Sequence, residues 1–211
     1  MNSNTKNYST TLQLPFLKTG LILAGVFALA FFFKDTSAYL VFLFFGGWLC
    51  WTYVEYAVHR FLLHELIVPG KRDSFHHHEH HVNPQNIKIS FLHRTLTLIL
   101  GIGVIWIALR LNNFFSIFAG FFTGFLMYSF LHYLLHQPYC KFILPKIQRA
   151  HILHHTTHPN QGYSFSTILW DWLYGTLPPS SVEISGKMKK FYFESDRIQI
   201  QKNENQKSIQ S

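Results

Sequence analysis

Cysteine is nearly absent from this 211-residue chain, which carries only Cys50 and Cys140. Two thiols exclude a disulfide framework, a four-cysteine zinc site and a cysteine-ligated iron–sulfur cluster. Cys50 lies inside an apolar run and reads as a small core residue. Charge is scarce as well: Asp, Glu, Lys and Arg make up 13% of the chain, about half the share of a soluble domain. Acids are the scarcer sign, 10 against 18 Lys and Arg, for a net charge of +8. The basic residues are scattered and form no recognition module, so they point to an anionic membrane surface and not to nucleic acid. Hydrophobic residues reach 48%; combined with so little charge, this argues against a disordered or fibrous chain and against an ordinary cytosolic domain.

What is present in excess is phenylalanine, 22 residues, and histidine, 14. The apolar residues gather in four runs, predicting membrane spans at about residues 12–33, 36–56, 92–110 and 113–133, each near the roughly 20 residues a helical span needs. No small-residue cleavage site follows the first run, so it reads as an uncleaved span and not a signal peptide. Short links, Lys34-Asp35 and Arg110 to Asn113, predict two helical hairpins. The expected fold is all-α integral membrane: four transmembrane helices in two hairpins under a cytosolic, helical, histidine-rich cap. The domain runs from 1 to 178 and a polar tail from 179 to 211, read as a partly disordered or surface-lying extension. Of the Lys and Arg residues only Lys34 and Arg110 fall in the links on the opposite side, so the larger portion is predicted to be cytoplasmic, in a bacterial inner membrane or the endoplasmic reticulum.

Histidines begin where the runs end. His59 and His64 follow the second span, the block His76–His81 lies between the hairpins, His132 and His136 close the fourth span, and His151, His154 and His155 come next. The hairpin topology brings all four sets to one side. Residues at i, i+3 and i+4 share a helix face; His77, His80 and His81 have that spacing, as do His151, His154 and His155, while His132 and His136 are i, i+4. Asp73 or Ser74 suits the cap of the first short helix and Asn83-Pro84 its end; Pro145 suits the start of the second and Pro159 its stop. His59 and His64 are five apart, about 140° round an α-helix, so either the helix loosens there or each serves a different metal. Neutral imidazole is the commonest metal ligand, and ten of them suffice for two ions with about five nitrogens each. His76, His78, His93 and His158 fall outside the pattern.

With these motifs the sequence resembles the fatty acid hydroxylase superfamily of membrane di-iron oxygenases, which includes fatty acid 2-hydroxylases, sterol desaturases and carotenoid hydroxylases. The resemblance rests on His59-x4-His64, His77-x2-His80-His81, His132-x3-His136 and His151-x2-His154-His155. It rests also on Glu55-Tyr56 before the first motif and on Gly162-Tyr-Ser-Phe-Ser and Trp170-Asp-Trp-Leu-Tyr-Gly175-Thr176 after the last. It covers roughly residues 40–178. It implies two non-haem iron ions held by the ten motif histidines, O2 as co-substrate, and insertion of a hydroxyl into a C–H bond of a lipid acyl chain, of fatty acid or sphingolipid type. Zinc, which binds nitrogen sites more tightly than ferrous iron, could substitute. Only the residues up to about Thr11 precede the first span, so a separate redox protein of cytochrome b5 or ferredoxin type is expected to supply electrons.

Glu55, Glu79 and Asp171 are candidates for orienting a ligating histidine, against the alternatives of a helix cap or a partner for a basic side chain. Trp170, Trp172, Tyr163 and Phe165 are candidate linings of an acyl tunnel, against interfacial packing. Gly120-x3-Gly124 permits close helix contact. Rival activities within the same chemistry are a sterol desaturase or methyl oxidase and a carotenoid hydroxylase. From other classes come a histidine-rich metal transporter, which would need ligands near the bilayer midplane, and a di-haem membrane cytochrome, whose axial histidines would face each other inside the spans.

Overall fold

The computed structural model describes residues 8–65, 77–87, 91–111 and 114–195. Among them every regular element is helical. Long, largely apolar segments form α1 (Tyr8–Phe32), α2 (Ala38–Ala57), α4 (Phe91–Leu111) and α5 (Phe115–Leu135). Short helices carry the polar end: α3 (His77–Val82), α6 (Pro145–Thr156), α7 (Leu169–Leu173) and α8 (186–195). A proline sits at the start of α6, where a missing N–H costs nothing, and α3 stops just before Asn83-Pro84. Asp73 and Ser74, the expected caps of α3, lie outside the described residues.

Three helical segments are long and apolar enough to cross a membrane: Gln13–Phe32, Ala38–Glu65 and Phe115–Leu135. Leu98–Leu111 within α4 is a shorter apolar helix. Their outer faces carry exposed Val41, Phe45, Leu98, Ile102, Trp106, Phe118 and Phe130, as expected where lipid replaces water. Packing runs α1 on α2, α2 on α5, and α5 on α4.

Glycine sets the closest of these contacts. A methyl group added to Gly47 would overlap the Ile117 carbonyl oxygen, and one added to Gly120 would overlap that of Phe44. The α2 and α5 backbones therefore touch, as small residues allow in membrane helices. One turn further on, the Trp51 ring lies over Gly124 and meets Phe121, Phe125 and Tyr128 edge-on. This contact aims the ends of α2 and α5 at the same place.

Beyond Ala57, α2 continues as a π-helical segment, Val58–Glu65. The apolar helix with this extension has 28 residues, about 42 Å at 1.5 Å per residue, longer than a hydrocarbon core of about 30 Å. The histidine-bearing end thus has the length to project from the bilayer. Of the polar tail expected from residue 179, the described part includes α8, whose Tyr192 is fully buried; residues 196–211 lie outside the described residues.

Candidate metal centre

The ten motif histidines converge into two groups of five. His59, His64, His77, His81 and His154 form one; His80, His132, His136, His151 and His155 form the other. Within each group the ligand nitrogens all lie within 4.8 Å of one another. The short helices distribute their histidines between the groups. On α3 the i, i+4 pair His77 and His81 faces the first group and His80 the second, whereas on α6 the i, i+4 pair His151 and His155 faces the second and His154 the first. The two groups abut where His81 stacks on His155, ring centroids 4.4 Å apart.

The first group depends on the π-helical segment. Hydrogen bonds in a π-helix run i→i+5, so residues five apart lie one above the other, and the His59 and His64 Nε2 atoms come within 3.3 Å. The helix is loosened here, and both side chains fall in the first group. π-Turns inserted in α-helices concentrate at functional sites.

The donor geometry fits an ion. In the first group Nε2 separations are 3.3 Å for His59–His77, 2.8 Å for His77–His64 and 3.1 Å for His81–His77. In the second they are 3.0 Å for His80–His132, 3.3 Å for His136–His132 and 3.1 Å for His151–His136. Two nitrogens each about 2.1 Å from one ion, at right angles, would be about 3.0 Å apart. These contacts are not an ordinary hydrogen-bond network. His59 Nδ1 donates to the Tyr163 carbonyl at 2.6 Å and His154 Nδ1 to the Gln161 carbonyl at 2.8 Å, which leaves their Nε2 atoms as lone-pair donors. The His154 Nε2 is buried with no hydrogen-bond partner, as a ligand nitrogen should be. Burial, aided by neighbouring imidazoles, pushes His77 down to about 3 and His81 to about 2, and burial brings His80 to about 4. His151, His154 and His155 fall well below the usual histidine range for the same reasons. At neutral pH these imidazoles are in the uncharged form that binds metal.

Two buried carboxylates shape the loop that supplies those carbonyls. Asp171 accepts from the backbone N–H of Tyr163 at 3.0 Å and Ser164 at 2.9 Å, and from the Thr176 hydroxyl at 2.7 Å. Burial raises its carboxyl and these bonds pull it back. Glu55 accepts from Phe165 N at 2.7 Å, Ser166 N at 3.0 Å and the Ser166 hydroxyl at 2.5 Å. Both carboxylates bind this loop, whose Gln161 and Tyr163 carbonyls accept from His154 and His59. Gly162 turns the loop at φ +74°, and a methyl there would meet the Ala150 carbonyl oxygen at 2.7 Å. Glu79 is exposed and accepts from Asn86 at 3.3 Å.

A cavity of about 500 Å³ lies between α2 and α5 and reaches His59 and His77 of the first group and His80 and His132 of the second. Its walls are mostly apolar, with Trp51, Val58, Leu62, Leu63, Phe125 and Tyr128, and Glu55, Glu79 and Asn86 also line it. The aromatic residues proposed from sequence as tunnel linings have other places. Trp170 is fully buried, its indole N–H donating to Thr52 at 3.0 Å; Tyr163 packs with it and Tyr56; Trp172 is exposed. Phe165 wedges between the groups, 4.7 Å from the rings of His59 and His132 and 4.9 Å from His151.

A family model for fatty acid hydroxylases matches residues 44–176, a stretch that contains all ten histidines, both buried carboxylates and the glycine contact. The chain belongs to the fatty acid hydroxylase family. Its relatives include human fatty acid 2-hydroxylase, 31% identical over 150 residues. A dihydroceramide fatty acyl 2-hydroxylase of Arabidopsis thaliana is 34% identical over 140 residues, and a ceramide very long chain fatty acid hydroxylase of Saccharomyces cerevisiae is 29% identical over 157. These matches cover 65%, 63% and 70% of this chain and 40%, 59% and 41% of the respective relatives. The chain thus matches under two thirds of their length. No solved structure gives a significant match.

Of the remaining histidines, His78 is exposed and His158 half-buried against Thr157; the side chains of His76 and His93 lie outside the described residues. Two contributors escaped the sequence reading. Gln161 acts through its carbonyl, which leaves no side-chain signature. Tyr192 stacks on His136 with centroids 4.6 Å apart and planes 17° from parallel; Phe191-Tyr192-Phe193 in an otherwise polar stretch was the available signal.

Proposed function

We propose that the chain is a membrane-bound hydroxylase that inserts a hydroxyl group into a C–H bond of a lipid acyl chain, using a two-metal centre and O2. The observation that carries this reading is the pair of five-histidine groups at the end of one apolar cavity. The family membership supports it, as do relatives named for hydroxylating fatty acids and ceramide acyl chains.

His59, His64, His77, His81 and His154 would hold one ion, and His80, His132, His136, His151 and His155 the other. When bound, iron supplies the redox chemistry that an unactivated C–H bond requires and that side-chain acids and bases lack. The protein does the rest. The Tyr163 and Gln161 carbonyls fix the tautomer and tilt of His59 and His154. Glu55 and Asp171 hold the loop that presents those carbonyls. The apolar cavity accepts a hydrocarbon chain between α2 and α5 and brings one stretch of it up to the imidazoles, so that position replaces chemical activation of the substrate. Val58, Leu62 and Phe125 are exposed and open the cavity sideways toward the bilayer, the phase in which such a substrate dissolves.

In the proposed topology four helices cross the membrane as two hairpins, with α4 as the third crossing and the histidines on the cytoplasmic side. Electrons would come from a separate redox protein of cytochrome b5 or ferredoxin type. The deciding experiment compares lipids of cells with and without the chain, beside elemental analysis of purified protein. A product heavier by one oxygen and two irons per chain support the reading. A haem absorption band, or unchanged lipids with iron-loaded protein and a working donor, overturns it.

A further inference from the structure

The two histidine groups look alike in number but not in support. Resting on the two-metal reading above, we infer that the groups are unequal: the first binds its ion more tightly than the second, so the centre fills and empties in a fixed order.

In the first group, the two buried histidines are both anchored. His59 and His154 donate their Nδ1 protons to backbone carbonyls at 2.6 and 2.8 Å, both from the 161–163 segment. The loop that continues from it through Ser166 is held in turn by five hydrogen bonds into Glu55 and Asp171. In the second group, the Nδ1 atoms of His136 and His151 are buried without a hydrogen-bond partner, and so are both ring nitrogens of His155. Among its histidines His80 has a backbone partner at Asn86. Ring stacking replaces the missing anchors: His136 lies on Tyr192 and His132 on Phe165, planes 17° and 13° from parallel. Stacking fixes the plane of a ring but adds no electron density to its donor nitrogen. An N–H···O=C bond does both, and losing such an outer partner costs about 10- to 100-fold in metal affinity.

Burial acts in the same direction. Four of the second group's five histidines are buried, against two in the first. Both donor sets are all-nitrogen and uncharged, so neither neutralises a doubly charged ion. The penalty for placing that charge is larger where less water remains.

Tyr192 is the positioning residue of the weaker group. It comes from α8, outside the stretch that the family model matches, and its hydroxyl donates to the Leu135 carbonyl at 3.1 Å, next to His136. The same helix grips the end of α3. Gln85 donates its side-chain amide to the Tyr192 carbonyl at 2.8 Å, and the Ser195 hydroxyl reaches Asn83 at 2.5 Å.

The test is an equilibrium titration of the purified full-length chain with Co2+ at buffered free concentrations, followed by visible absorption and by metal content. Two steps are expected, separated by about 10- to 100-fold in free metal. His154→Ala should remove the tighter step and His80→Ala the weaker. Tyr192→Ala should move only the weaker step to higher Co2+, and Tyr192→Phe, which keeps the stack, should largely restore it. Two ions binding in a single step overturn the inequality while leaving the two-metal reading in place, and so does loss of the tighter step in His80→Ala. Failure to bind any metal in folded protein overturns both.

Discussion

The Nε2 atoms of His59 and His64 stand 3.3 Å apart, although five residues separate them along a chain that an α-helix would turn by about 140°. The π-helical segment Val58–Glu65 closes that angle. A spacing that looks wrong for one face of a helix thus marks the place where the helix changes pitch, and the change sits where α2 leaves its apolar run.

That relationship is directly testable. Inserting one alanine after Leu62 puts the two histidines six apart, a spacing that neither α- nor π-helical hydrogen bonding superimposes. The variant should lose one metal ion per chain by elemental analysis and lose product formation. Its helix content by circular dichroism should stay unchanged. Retention of both ions would show that the pitch change is incidental.

The contact between α2 and α5 should tolerate no side chain at its centre. Gly47→Ala and Gly120→Ala each drive a methyl into a carbonyl oxygen of the facing backbone, which cannot rotate aside. Overpacking of this kind costs about 1–3 kcal/mol, and a marked drop in melting temperature in detergent is expected. Gly25 and Gly103 have nothing within 4 Å of an added methyl, so alanine there should be neutral or stabilising by up to about 1 kcal/mol. Equal effects at all four positions would remove the argument from close approach.

Asp171→Asn changes one atom, yet Asp171 receives three donors. The amide brings N–H toward N–H on one side, leaving a buried backbone donor unpaired at a cost of about 1–3 kcal/mol. Because that donor belongs to the loop that anchors His59 and His154, the expected result is weaker metal retention against a chelator together with lower thermal stability. Loss of stability without any change in metal retention would mean that Asp171 supports the fold alone.

Filling the cavity should separate binding of substrate from assembly of the centre. Leu63→Trp places a large ring in the space between α2 and α5 that reaches both histidine groups. Turnover of a long-chain lipid should fall by an order of magnitude or more, with the metal content of the wild type retained. Full activity on the long chain would move the substrate path elsewhere.

Much of this was legible in the order of residues. Apolar runs of membrane length, short links and imidazoles confined to the ends of the runs are local properties, and a helix repeats them faithfully enough for the four motifs and the family to be recognised. The sequence also named all ten histidines that converge. Spacing along one element cannot say which group a residue joins, because that depends on what faces the element. His77 and His80 neighbour each other on α3 yet serve different groups, since α3 lies between the π-helical segment on one side and α5 with α6 on the other. The roles of Glu55 and Asp171 were similarly hidden. Both bind backbone N–H groups of a loop about 110 and 7 residues away, and backbone groups are the same in every sequence. The cavity, the wedge of Phe165 and the stack of Tyr192 on His136 arise only when distant segments pack, because they are properties of the space between elements and not of any one of them.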